Sequence, residues 1–317
     1  MVHSAIGTEG DQEHYPLPRW QVTLGRTMTI VYALLTAFSN ALNVTTQHKA
    51  SIASPARAKG WRLISYLFRN PLWLFGWVAL AAAFVFQALA LRDGQMSVVQ
   101  PLLVTELVFV LVLRRLWIHQ TIRPVTWWAA IVTCVALAVF LAMSEPQGGN
   151  AAASSHAWIS AATASFGAVA VLAVLGMWGS PARRAALMAS ATAIAWALVA
   201  TFIKTTMDTL TQFGAGRVFT HWPVYALAVT GLAAEILNQV TLHVGPLSVS
   251  QPFLVIVDPI ASIALSVWVF AEYFTPSAPR LTIAAISFAC MCSAVIVLTR
   301  TAPASMDASP APGGMSV

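Results

Sequence analysis

Nine stretches of this 317-residue chain are each about as long as a bilayer is thick, and that restricts what it can fold into. A helix needs about 20 mostly apolar residues to cross the hydrocarbon layer. Hydropathy places such runs at 27–47, 71–91, 97–117, 124–144, 157–178, 185–211, 222–243, 247–270 and 280–299. Only 9% of the residues are charged and 58% are hydrophobic, with a mean hydropathy of +0.74. A soluble domain carries roughly a quarter charged residues, because its surface must be wetted. The expectation is an all-α integral membrane protein whose main partner is the lipid bilayer. The fifth run is rich in Ala, Gly and Ser, which suits close helix packing more than lipid contact.

The chain also repeats itself. Ser97-Val98-Val99-Gln100-Pro101-Leu102-Leu103-Val104 returns 151 residues later as Ser248-Val249-Ser250-Gln251-Pro252-Phe253-Leu254-Val255. At the same offset Gly94 falls on Gly245, Gln87 on Asn238 and Trp117 on Trp268. The first runs align more loosely, with Thr36 on Thr192 and Ala41-Leu42 on Ala197-Leu198. Runs one to four (27–144) then form one repeat and runs six to nine (185–299) a second, joined by the connector at 157–178. An odd number of crossings separates equivalent helices, so the two four-helix repeats are expected to be inverted. Inverted repeats are the usual basis of alternating-access transport.

Lys and Arg are distributed unequally between the two sides. If the loop after the first run is cytoplasmic, that side holds Lys49, Arg57, Lys59, Arg62, Arg69, Arg114, Arg115, Arg123, Arg183, Arg184 and Arg300. The other side holds Arg19, Arg26, Arg92, Arg217 and Arg280. The positive-inside rule then puts the N-terminus outside and the C-terminus in the cytoplasm of a plasma-membrane protein. Residues 1–26 read as a polar tail without the apolar core of a signal peptide. Residues 300–317 read as a disordered Pro/Ala/Gly/Ser tail. Between them, Trp61, Ile64, Leu67 and Phe68 alternate with Arg62, Ser65 and Arg69, the pattern of a short helix lying on the membrane surface. The +6 net charge has no basic run interleaved with aromatics, so no nucleic-acid partner is expected.

Charged side chains inside the runs cost about 2.5–3.5 kcal/mol each at mid-helix unless a partner or a cavity receives them. Glu106, Lys204, Glu235 and Asp258 are the candidates, with Asp208 one turn beyond Lys204. Asn40, Asn43 and Gln47 continue a polar stripe on the first run. Asn238 shares the Glu235 side of the seventh, and Gln251 that of Asp258 on the eighth. Gln87, Gln100 and Gln251 recur at matched places in the repeats. These residues are expected to line a solute or ion pathway, with Glu235, Asp258 and Lys204 meeting in one cavity. Plainer readings stand beside this. Lys204 and Asp208 could neutralise each other, Glu106 could pair with Arg114 or Arg115, and the Asn and Gln residues could be interhelical glue. The seven histidines have no i, i+3 or i, i+4 pairing, and Cys134, Cys290 and Cys292 form no metal or disulfide framework. No cofactor is expected. Hydrolase, metalloprotease and nucleotide-binding motifs are absent, which argues against an enzyme.

Asn43 to Lys49 (NVTTQHK), Arg69-Asn70-Pro71-Leu72-Trp73, the two Ser-Val-x-Gln-Pro openings and Glu235-Ile236-Leu237-Asn238 resemble the drug/metabolite transporter (EamA-like) superfamily. Within it they resemble the nine-span NIPA-like branch associated with magnesium transport, whose Glu-Ile-x-Asn pattern lies in the first unit rather than the second. The resemblance implies a secondary transporter that moves a small polar solute by alternating access without ATP, and is compatible with a homodimer. Alternatives are transport of a divalent cation such as magnesium, or a non-transporting scaffold or lipid-translocation accessory.

The Lys/Arg asymmetry generates a direct prediction. In intact cells a membrane-impermeant thiol reagent should label Gly149→Cys and spare Ala58→Cys. Labelling of Ala58→Cys from outside would reverse the topology.

Overall fold

The structure, a computed structural model, describes residues 19–52, 70–119, 121–149, 154–245 and 247–301. The expected surface helix near Trp61 and the extreme tails lie outside these residues. Among the described residues nine helical segments are long and apolar enough to cross a membrane, and their positions match the nine runs. The protein is an all-α membrane protein.

The helices are α1 (Arg19–Ile52), α2 (Pro71–Asp93), α3 (Met96–Leu103), α4 (Glu106–Trp117), α5 (Pro124–Ser144), α6 (Ser155–Leu175), α7 (Pro181–Phe213), α8 (Trp222–Val244), α9 (Leu247–Phe270) and α10 (Ala278–Thr301). Several begin on local signals. Pro71, Pro124 and Pro181 stand at the first helical positions, where a missing N–H costs nothing. Asn70 Oδ1 accepts from Leu72 N at 2.9 Å, and Ser154 and Ser180 cap α6 and α7 in the same way.

Two expectations need correction. Helix α1 starts at Arg19, so residues 19–26 belong to it rather than to a tail. Once a helix is nucleated each further residue adds a hydrogen bond, and the first turns can project beyond the hydrocarbon. The third run is also broken. Pro101 has no N–H to return to the Ser97 carbonyl. The chain then tightens, with Val104 N bonded to Pro101 O at 3.2 Å and Thr105 N to Leu102 O at 3.1 Å. Helix α4 restarts at Glu106. By contrast α9 carries Pro252 and Pro259 and stays continuous.

Helix α7 is the axle of the bundle. It packs on α2, α3, α6, α8 and α9, and most of its surface is buried, much of it alanine. Alanine lets neighbouring backbones approach closely, which substitutes for the missing hydrophobic drive in lipid. Helix α1 packs on α2 and on α3 and α4. The equivalent helix of the second unit, α7, packs on α8 and α9. Helices α5 and α10 form an antiparallel pair: Glu145 meets Arg280 at one end, and Thr126 Oγ1 meets Thr301 Oγ1 at 3.0 Å at the other.

The matched glycines mark one contact made twice. A Cβ on Gly94 would lie 2.1 Å from Thr29 Cγ2, and a Cβ on Gly245 would lie 2.8 Å from Ala185 Cβ and 2.5 Å from the Pro181 carbonyl. Thr29 on α1 and Ala185 on α7 hold corresponding positions, at the same spacing as Thr36 and Thr192. Each unit thus closes its first hairpin on a glycine.

Steric closeness of this kind is testable. Gly94→Ala and Gly245→Ala should each lower stability by about 1–3 kcal/mol through overpacking. Gly231→Ala, with open space around it, should be neutral or stabilising. Thermal melts of the three variants in detergent would show the difference, and equal melts would contradict it.

Candidate functional site

The break in the third span sets up the site. Glu106 is the first residue of α4, five positions after Pro101, and Asp258 lies on α9, six positions after Pro252. Helix α3 packs on α9. Since Glu272, just past the end of α9, bonds to Met96 N and Ser97 N, the first Ser-Val-x-Gln-Pro segment lies toward the end of α9 and not against the second copy at its start. The Glu106 and Asp258 carboxyls interact electrostatically. Asn40, from the middle of α1, lies beside the Glu106 carboxyl in position to donate to it. Ser262, fully buried one turn beyond Asp258, donates from Oγ to Asp258 Oδ1 at 3.3 Å. Both carboxyls are deep in the bundle and only half-buried. A negative group at the start of a helix is favoured by the helix dipole, which helps hold Glu106 there. Asn40, Glu106, Asp258 and Ser262 therefore form a cluster drawn from three spans, with oxygen acceptors dominating.

Other residues expected on the pathway are elsewhere. Glu235 is exposed, and Gln239 Nε2 donates to its Oε1 at 2.6 Å. The buried side of α8 is Thr230, Ala234 and Thr241, and Glu235 points away from it. The expectation that Glu235, Asp258 and Lys204 share a cavity is corrected accordingly. A polar stripe on one helix can satisfy itself at i, i+4 spacing without facing the interior. Asn43 and Gln47 do the same, with Gln47 Nε2 on Asn43 Oδ1 at 2.6 Å. Gln100 is buried with its Nε2 unpartnered, while Gln87, Asn238 and Gln251 are half-buried.

Lys204 has a different partner from those expected. Its ammonium donates to the carbonyls of Gly94 at 3.0 Å and Leu91 at 3.3 Å, and lies 5.3 Å from the centroid of the Phe270 ring. It forms no ion pair with Asp208 among the described residues. It instead receives the carbonyls that the end of α2 leaves unpaired. Two and three residues past Gly94, a second buried charge holds the same turn. Glu272, 1% exposed, accepts from Met96 N at 2.9 Å and from Ser97 N at 3.0 Å, and so caps α3 with both carboxylate oxygens. Glu272 belongs to β2 (Glu272–Phe274), which pairs antiparallel with β1 (Pro146–Gly148). Gln95 Nε2 adds a bond to Gly148 O at 3.2 Å. Each charge is opposite in sign to the helix end it touches. The turn between α2 and α3 is thereby tied to α7, to β1 and to the segment after α9.

Nothing in the sequence signals Glu272. It follows an apolar run in a stretch that reads as a loop, where a carboxylate is unremarked. Its burial exists only in the tertiary structure. Ser262 was equally silent, one serine among many in a small-residue helix.

Over 250 residues, 78% of this chain and 86% of the relative, the sequence is 26% identical to an uncharacterized protein of Corynebacterium glutamicum. No family profile and no solved structure matches the chain.

The two acidic residues should respond differently to truncation. A hydrogen bond to a charged group contributes about 1.5–3 kcal/mol, so Glu272→Ala should destabilise by about 3 kcal/mol or more. Glu235→Ala should stay within about 0.5 kcal/mol. Thermal melts in one detergent compare them, and a harmless Glu272→Ala would contradict the capping role.

Proposed function

We propose that the protein is a secondary transporter of the drug/metabolite type, moving a small polar solute by alternating access of two inverted repeats. The observation that carries this reading is the meeting of Glu106, just past the broken α3, with Asp258 on α9 inside the bundle. Intramembrane carboxyls are costly, and a scaffold has no use for a facing pair. Two like charges at that depth repel unless a positive charge joins them. A proton or a cation bound with the solute supplies it, and the broken helix beside Glu106 leaves backbone groups to share the binding.

Contacts support the inverted arrangement. Helix α1 begins, and α7 ends, on the face where Gly94 meets Thr29 and Lys204 meets Gly94. The opposite course of α1 and α7, each packed on the helix that follows it, supports the inverted reading. On the Lys/Arg bias this is the outer face, where Lys204 and Glu272 fasten the turn between α2 and α3.

A cation as cargo, magnesium included, is the second reading, favoured by the hard oxygen donors of the same cluster. Among the described residues no three His, Cys, Asp or Glu side chains converge as a metal site. A magnesium ion there would keep several of its waters, as it commonly does.

A thermal-shift screen of purified protein against magnesium, calcium and a panel of polar metabolites tests both. A ligand at about 100 times its Kd should stabilise the wild type by about 2.7 kcal/mol. Glu106→Gln and Asp258→Asn should lose that shift, and liposome uptake of the same ligand should fall to background. A ligand that stabilises both variants as it does the wild type would remove the pair from the site.

A further inference from the structure

A cavity of about 540 Å³ lies away from the carboxyl pair, over α7 and between α6 and α8. Its wall is aromatic. Trp158 and Phe202 stack with centroids 5.1 Å apart, Trp222 stands edge-on to both, and Phe270 stands edge-on to Trp158 at 6.4 Å. These mutual contacts fix the rings, so the wall is preformed. No Asp, Glu, Lys or Arg lines it.

The cavity is elongated and graded in polarity. From Ser155, the first residue of α6, to Phe166 it follows the helix for about 16 Å at 1.5 Å per residue. Of its polar members, Ser155, Thr209 and His221 lie toward the helix ends, and Thr205, further along α7, donates its hydroxyl to the Thr201 carbonyl at 3.0 Å; the rings of Trp158, Phe202 and Phe166 complete the wall. His221 is held through Nδ1 by the Arg217 carbonyl at 2.9 Å, and the same loop carries Arg217 itself, exposed. Helices α6 and α8 both pack on α7 and make no comparable contact with each other. The rim residues Ile159 and Trp222 are 68% and 52% exposed, so the opening is sideways, toward the bilayer.

We propose that this cavity is a lateral binding site for one acyl chain of a membrane phospholipid. The chain enters between α6 and α8 and lies along the Trp158–Phe202 wall. Its phosphate stays at the membrane surface, where Arg217 supplies the positive charge and His221 a polar neighbour. Bilayer lipid is the molecule present at that opening, and the apolar depth with a cationic mouth complements its two ends. The site does not depend on the transport reading.

The test uses full-length protein in phosphatidylglycerol vesicles whose acyl chains carry bromine, a contact quencher of tryptophan. The Trp158 signal is the difference between wild type and Trp158→Phe. Trp158 is 7% exposed, so only a chain inside the cavity can reach it closely. Brominated lipid should remove most of that signal, and Ala162→Phe, which fills the cavity, should restore it. Undiminished quenching in Ala162→Phe overturns the proposal, because the lipid would then act from outside. An unquenched Trp158 also overturns it, whether aqueous iodide quenches it instead (a water-soluble occupant) or cross-linking shows a second copy seated between α6 and α8.

Discussion

Hydrocarbon offers no hydrogen-bond partner, and every helix end or charge placed in it must be answered from within the protein. The turn between α2 and α3 shows how that requirement is met for the helix ends. It exposes carbonyls at the end of α2 and amides at the start of α3. Lys204 answers the first set and Glu272 the second, each with the sign that the helix dipole asks for. Two charges that would be a burden singly become the fastening of three segments distant in sequence. The close glycine contact at Gly94 brings that turn within reach.

The span plan was legible in the sequence because bilayer thickness imposes a length that hydropathy alone can detect. The hairpin contacts at Gly94 and Gly245 were half-legible: the repeat matched the two positions, but not what each glycine touches. Facing was far less accessible. Glu235, Asn238 and Gln239 form a convincing polar stripe, yet periodicity says only that residues share a side, not which neighbour that side meets. Glu235 and Gln239 satisfy one another on the outer side of α8. Asp258 and Glu106 were each visible as costly residues, but their meeting depends on the packing of α3 against α9. The break at Val104–Thr105 was concealed because Pro252, in the matching motif, is carried by a helix that does not break.

The cluster around Glu106 also relates the two units to one another. Carboxyls five and six residues beyond equivalent prolines reach the same place because α3 packs on α9 with its start at the end of α9. Asn40 adds a neutral donor from α1, and Ser262 steadies Asp258 from its own helix. Any movement of α3 against α9 changes the spacing of two like groups, and hence their demand for a positive companion. Position and charge state are coupled there by geometry alone.

The small antiparallel ladder outside the bundle constrains such movement. Pro146, Gln147 and Gly148 pair with Phe274, Tyr273 and Glu272, joining the end of α5 to the end of α9 on the face that Lys204 and Glu272 also hold. A body strapped at one end can move only as a lever about the strap. With a span about 30 Å long, a tilt of about 10° leaves the strapped end in place and swings the far end by about 5 Å. Such a swing at the far face breaks none of the backbone hydrogen bonds of the ladder.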